Sequence, residues 1–149
     1  MTGWRIGLVC GPVDVISEIG KVHQFAITSA TANAQAAAEE AFKNGPDDGV
    51  AMRKIYQQRR DLLLAGLKEA GFECANPKGA FYLFAKIPAN LNQDSVAFCY
   101  ELAKEAKVAV IPGASFGPGG EGYVRISYAA STEDLKKAIE RIQKFVDQH

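Results

Sequence analysis

The sequence predicts an α/β fold, an α+β two-layer small domain with a mixed sheet of three to four strands under helices, preceded by a long connector helix. Three observations carry that reading. After Gly71 the apolar pattern runs in the order β-α-β-β-α. Residues 123–128, YVRISY, alternate apolar and polar with the period of a half-buried strand. Leu135, Ala138, Ile139, Ile142, Phe145 and Val146 then recur at helical spacing behind Ser131 and Asp134, which match a capping box.

The elements follow in chain order. Residues 6–10, IGLVC, are a short apolar run stopped by Gly11-Pro12, which predicts a buried strand. Residues 13–22 suit a short helix with Pro12 at its start. Residues 29–43 are alanine-rich and stop at Asn44-Gly45-Pro46, which predicts a second helix. A long helix over residues 48–70 opens on Asp47-Asp48 and carries Lys68 near its end, as the helix dipole favours. Its apolar positions include Met52, Ile55, Tyr56, Leu63, Leu67 and Ala70, and Gly71 ends it. Residues 72–75 and 80–87 are the next strands, the second aromatic-rich and assigned to the core. A helix over 94–106 leads to a strand over 108–111. That strand-helix-strand crossover is expected to be parallel, with the following strand returning antiparallel across a glycine-rich connection over 112–122.

Composition bounds the function. The 149 residues are 48% hydrophobic and 23% charged, enough for a core without disulfide or metal staples. Lys and Arg number 17 against 17 Asp and Glu, which argues against a nucleic-acid or anionic-membrane binder. No apolar run is long enough to span a membrane, and Asp14 and Glu18 interrupt any leader-like core. Cys10, Cys74 and Cys99 are widely spaced with no CxxC, which reads as reduced, buried thiols in a cytoplasmic protein. With only His23 and His149 beside them, no metal site and no paired nucleophile is assigned. His23, on an apolar stretch, reads as structural.

Two arginines stand out. In YVRISY, Arg125 faces away from Val124, Ile126 and Tyr128. It is either an exposed or salt-bridged arginine, or a fork for a carboxylate, which a guanidinium grips with two parallel hydrogen bonds. Arg5 follows Gly3-Trp4, where glycine permits close backbone approach to an anion; an ordinary surface arginine is the simpler reading. Residues 117–122 formally match G-x-G-x-x-G, but a strand follows them where a dinucleotide site needs a helix, so they read as a mobile connection.

Together the segments Met1-Thr2-Gly3-Trp4-Arg5-Ile6-Gly7, Pro77-Lys78-Gly79-Ala80-Phe81-Tyr82, Val110-Ile111-Pro112-Gly113 with Phe116-Gly117, and Tyr123-Val124-Arg125-Ile126-Ser127-Tyr128 resemble, in order and spacing, the C-terminal part of the class I/II aminotransferases. These are pyridoxal-phosphate enzymes of fold type I, related to aspartate aminotransferase. The resemblance implies that Arg5 contacts the cofactor phosphate and that Arg125 grips the α-carboxylate of the amino-acid substrate. It implies that residues 1–45 resemble the end of a large cofactor-binding domain and residues 46–149 a small domain that includes the connector helix. Amino acids and 2-oxo acids would be the substrates. Residues 1–45 carry IGLVC and an alanine-rich helix that would normally pack in the large domain, so their apolar surface is expected to drive self-association into a homo-oligomer. In that family the Schiff-base lysine lies a few residues before T-G-W-R, and neither Lys21 nor Lys43 matches it. The resemblance therefore implies no catalytic residue within these 149, and no transamination or cofactor binding by them alone. A lyase of the same fold, or a non-catalytic α/β binding or assembly module, is the alternative.

Overall fold

The computed structural model describes residues 1–149, which divide into two compact units, Met1–Val50 and Ala51–His149. In the first unit a 3-10 turn, Thr2–Trp4, precedes helices α1, Val13–Ala26, and α2, Ala32–Asn44. Helix α1 runs past its expected end, and the Ile27 and Thr28 N–H groups close it on the His23 carbonyl. Gly45 N–H closes α2 on the Ala41 carbonyl.

Residues 6–10 do not form the expected strand. They pair with no other segment, and Leu8 and Val9 are exposed. A strand is completed only by a neighbour that takes its N–H and C=O groups, and this unit holds no second strand. Of the three thiols expected to be buried, Cys10 is exposed and Cys74 and Cys99 are half-buried, and His23 is exposed on α1.

Helix α3, Asp48–Glu69, begins with the last residues of the first unit and continues into the second. There follow β1, Glu73–Cys74, β2, Tyr82–Lys86, α4, Ser95–Glu105, β3, Ile111–Pro112, β4, Tyr123–Ser127, and α5, Thr132–Gln148. Asp94 caps α4, its carboxylate accepting the Val96 and Ala97 N–H groups, and Ser131 caps α5 by accepting the Asp134 N–H.

The sheet order is β1-β2-β4-β3. The fold is the expected α/β arrangement, but every ladder is antiparallel, so the sheet is not mixed. Strands β2 and β3 each oppose β4 and hence run parallel to one another, as the crossover predicts. They are not neighbours, because β4 lies between them. Strand β3 is also shorter than expected, since residues 108–110 join no ladder and Pro112 has no N–H to give.

One sheet face is the core. Leu83, Ala85, Val124 and Ile126 are buried there with Leu63 and Leu67 of α3, Phe98 and Leu102 of α4, and Leu135, Ile139, Ile142 and Phe145 of α5. Phe98 meets Phe72 and Phe145 edge to face, with centroids 6.2 and 6.0 Å apart. Gly66 lets α3 approach α5, because a Cβ there would run into the Ile139 side chain.

Candidate functional site

The other sheet face carries Tyr82, Phe84 and Lys86 of β2 beside Tyr123, Arg125 and Ser127 of β4. Period-two alternation produces it: burying Val124 and Ile126 turns Arg125 outward. The aromatic strand is therefore not all core. Leu83 is buried, but Tyr82 is half-buried and Phe84 is exposed.

Arg125 pairs in register with Phe84 on one side and Ile111 on the other, so its backbone is fixed by two ladders. Its side chain is half-buried and joins none of the chain's ion pairs. The guanidinium carbon sits 4.2 Å from the Tyr82 ring centroid and 4.7 Å from that of Phe116. With no ion pair of its own, Arg125 keeps its N–H groups for an acceptor. Chemically, the site is a cationic fork on an aromatic floor.

Phe116 reaches this face from the glycine-rich segment, which is folded, not a mobile connection. Two 3-10 turns, Gly113–Phe116 and Pro118–Gly120, lie back to back. A Cβ at Gly113 would strike the Gly120 carbonyl, and one at Gly120 would strike the Gly113 carbonyl. The Glu121 carboxylate accepts the Ser95 N–H at 2.6 Å and the Gly122 N–H at 3.3 Å, and the Ser95 Oγ accepts the Ala114 N–H at 3.2 Å. These bonds, chiefly those from Ser95, hold the Glu121 carboxyl below its ordinary pKa.

Arg5 lies in the first unit. It ends the 3-10 turn in a left-handed conformation, φ 51° and ψ 44°, and its Nη1 donates to the Thr2 carbonyl at 3.2 Å. It is exposed, and no carboxylate pairs with it. Its remaining donors fit a phosphate group, the one part of a pyridoxal-phosphate site that this chain is expected to supply.

Of the residues read from sequence, Arg125 and Arg5 are thus each an uncommitted cation in its own unit. Tyr82, Phe116, Ser95 and Glu121 were not singled out for these roles. The alternation within residues 82–86 carried the signal for Tyr82. Contacts between separate segments, 9 to 26 positions apart, placed the others. No group of three or more His, Cys, Asp or Glu is arranged to hold a metal ion, and no helix is long and apolar enough to cross a membrane.

The family described as aminotransferase class I and II matches residues 1–142. An aspartate aminotransferase of Pyrococcus horikoshii is 41% identical over 150 residues, which is 99% of this chain and 38% of the relative. The crystal structure of an aromatic aminotransferase from Pyrococcus horikoshii superposes with a TM-score of 0.78 at 41% identity, over 99% of this chain and 40% of that one. A Thermus thermophilus aspartate aminotransferase with maleate superposes with a TM-score of 0.75 at 42% identity, over 97% of this chain and 37% of that one. The chain thus spans about two fifths of the length of the relatives it matches.

Proposed function

The chain belongs to the class I and II aminotransferase family, and from that premise we propose that it forms the substrate-gripping part of a pyridoxal-phosphate-dependent enzyme that moves an amino group between an amino acid and a 2-oxo acid. The observation that carries this reading is the Arg125 fork, held over two rings with no carboxylate of its own. The Thermus thermophilus relative was solved with maleate, a dicarboxylate, which is in keeping with a carboxylate ligand for the whole enzyme.

Arg125 binds the substrate α-carboxylate through two in-plane hydrogen bonds and so fixes the orientation of the α-carbon. Arg5 holds the cofactor phosphate. Pyridoxal phosphate, when bound, supplies the electron sink for chemistry at that carbon. Residues 1–45 belong to a large cofactor-binding domain, and residues 46–149, with the connector helix, form the small domain. Closure of the small domain on the carboxylate then couples binding to exclusion of water. The working enzyme is a cytoplasmic homo-oligomer. These 149 residues alone are inactive, because none of their lysines stands where the family's Schiff-base lysine does.

A chimera tests the proposal. This chain replaces the matching segment of the Pyrococcus horikoshii aspartate aminotransferase. The chimera is expected to transaminate, and Arg125→Ala within it to raise KM for the amino acid at least about tenfold, the loss of a charged hydrogen-bonded pair. The isolated chain with pyridoxal phosphate, an amino acid and 2-oxoglutarate is expected to form no product. An inert, folded chimera, or turnover indifferent to Arg125, contradicts the reading.

A further inference from the structure

We infer that Tyr82 and Phe116 are positioning residues for Arg125, their rings steadying its guanidinium while its N–H edge stays free for a carboxylate. The inference rests on the reading of Arg125 as a carboxylate site.

An arginine at the centre of a strand can be steadied in two ways. A salt bridge holds it, but occupies the donors and cancels the charge that a ligand needs. An aromatic ring holds it through the face of the guanidinium and leaves the edge open. Arg125 has no salt bridge and two rings within reach of its guanidinium carbon. Both ring centroids lie inside the ~6 Å range of a cation–π contact.

The rings are themselves placed. Tyr82 stands on β2 two residues from Phe84, the register partner of Arg125, and its ring lies 4.4 Å from that of Phe81. Phe116 meets Phe84 edge to face at 6.0 Å, and Phe84 stacks on Tyr123 at 5.2 Å. The turn that carries Phe116 is tied to the start of α4 through the Ala114 N–H, the Ser95 hydroxyl and the Glu121 carboxylate. Phe116 is itself 51% exposed, so its ring serves the guanidinium more than the core.

Nitrogen-15 spectra of the arginine Nε–Hε groups test this in the full 149-residue chain, with Arg125→Lys identifying the resonance and succinate as the probe. The unliganded Arg125 signal is expected to be displaced by ring currents and to shift on titration with succinate. Phe116→Leu and Tyr82→Leu are each expected to move the free signal toward that of exposed arginines and to weaken succinate about two- to five-fold, as the loss of one exposed cation–π contact predicts. Phe116→Tyr and Tyr82→Phe keep the ring and are expected to retain both properties. If succinate leaves the Arg125 signal unmoved in the unaltered chain, the carboxylate reading fails and the inference with it. If Arg125 binds succinate but both leucine variants bind as tightly as the parent, the inference is overturned while the reading stands. A missing ring-current displacement in the unaltered chain overturns it without any variant.

Discussion

The Glu121 carboxylate accepts the backbone N–H of Ser95 at 2.6 Å, joining the glycine-rich segment to the first turn of α4 across 26 positions of sequence. Because the bond favours the charged form, the folded pKa of Glu121 is depressed. A depressed carboxylate stabilises the fold above its unfolded pKa, and that stability is lost as pH falls through the folded value. Thermal melting of the chain is therefore expected to fall more steeply below the ordinary glutamate range, near 4.5, than that of Glu121→Gln. Parallel melting curves for the two proteins across that range would count against the latch.

Helices α3 and α5 are in contact at Gly66, where a Cβ would lie 2.9 Å from the Ile139 Cγ1. Gly66→Ala gains helix propensity but overpacks this contact, and the overpacking is expected to dominate. A loss of about 1–3 kcal/mol in urea denaturation is the expected result. Gly66→Ala is expected to cost much less in an Ile139→Ala background, since that substitution removes the γ carbons that the new Cβ would meet.

The thiols are expected to divide by exposure. Cys10 is exposed, whereas burial pushes Cys74 and Cys99 up to about 11. The latter two remain protonated at pH 8, and the thiolate is the reactive form. Titration with a chromogenic disulfide in the folded chain is expected to show one fast equivalent, abolished by Cys10→Ser, and two slow ones. Fast reaction persisting in Cys10→Ser would contradict the partial burial of the others.

The first unit presents apolar residues to solvent: Val13 is 86%, Val22 70% and Phe25 94% exposed. Such surface seeks a partner. Light scattering is expected to give a mass above the 16.0 kDa of one chain, rising with concentration. Phe25→Ser with Val22→Ser is expected to lower it. A monomer at high concentration, unchanged by the substitutions, argues against self-association through this surface.

Legibility in the sequence followed the range of the forces involved. Helix α5 could be read because its cap and its apolar stripe are local: Ser131 and Asp134 lie three residues apart, and Leu135, Ile139 and Ile142 share one face. The orientation of Arg125 could be read because alternation alone sets it. The fate of residues 6–10 could not, because an apolar run becomes a strand only when a partner edge exists. The crossover gave the relative direction of β2 and β3, but β4 is inserted between them through long-range pairing. The glycine-rich segment looked loose because glycine permits many conformations. Here it serves close packing of Gly113 against Gly120, a contact visible only in three dimensions. The aromatic floor of the site was hidden for the same reason, since Tyr82 and Phe116 reach Arg125 from separate segments.

Calorimetric titration of the chain with 2-oxoglutarate, beside the Arg125→Ala variant, tests whether Arg125 is a fork for a substrate carboxylate. Saturable binding is expected, weakened at least about tenfold in the variant, the loss that follows from removing hydrogen bonds to a charged group. Superimposable titrations of the two proteins would contradict it.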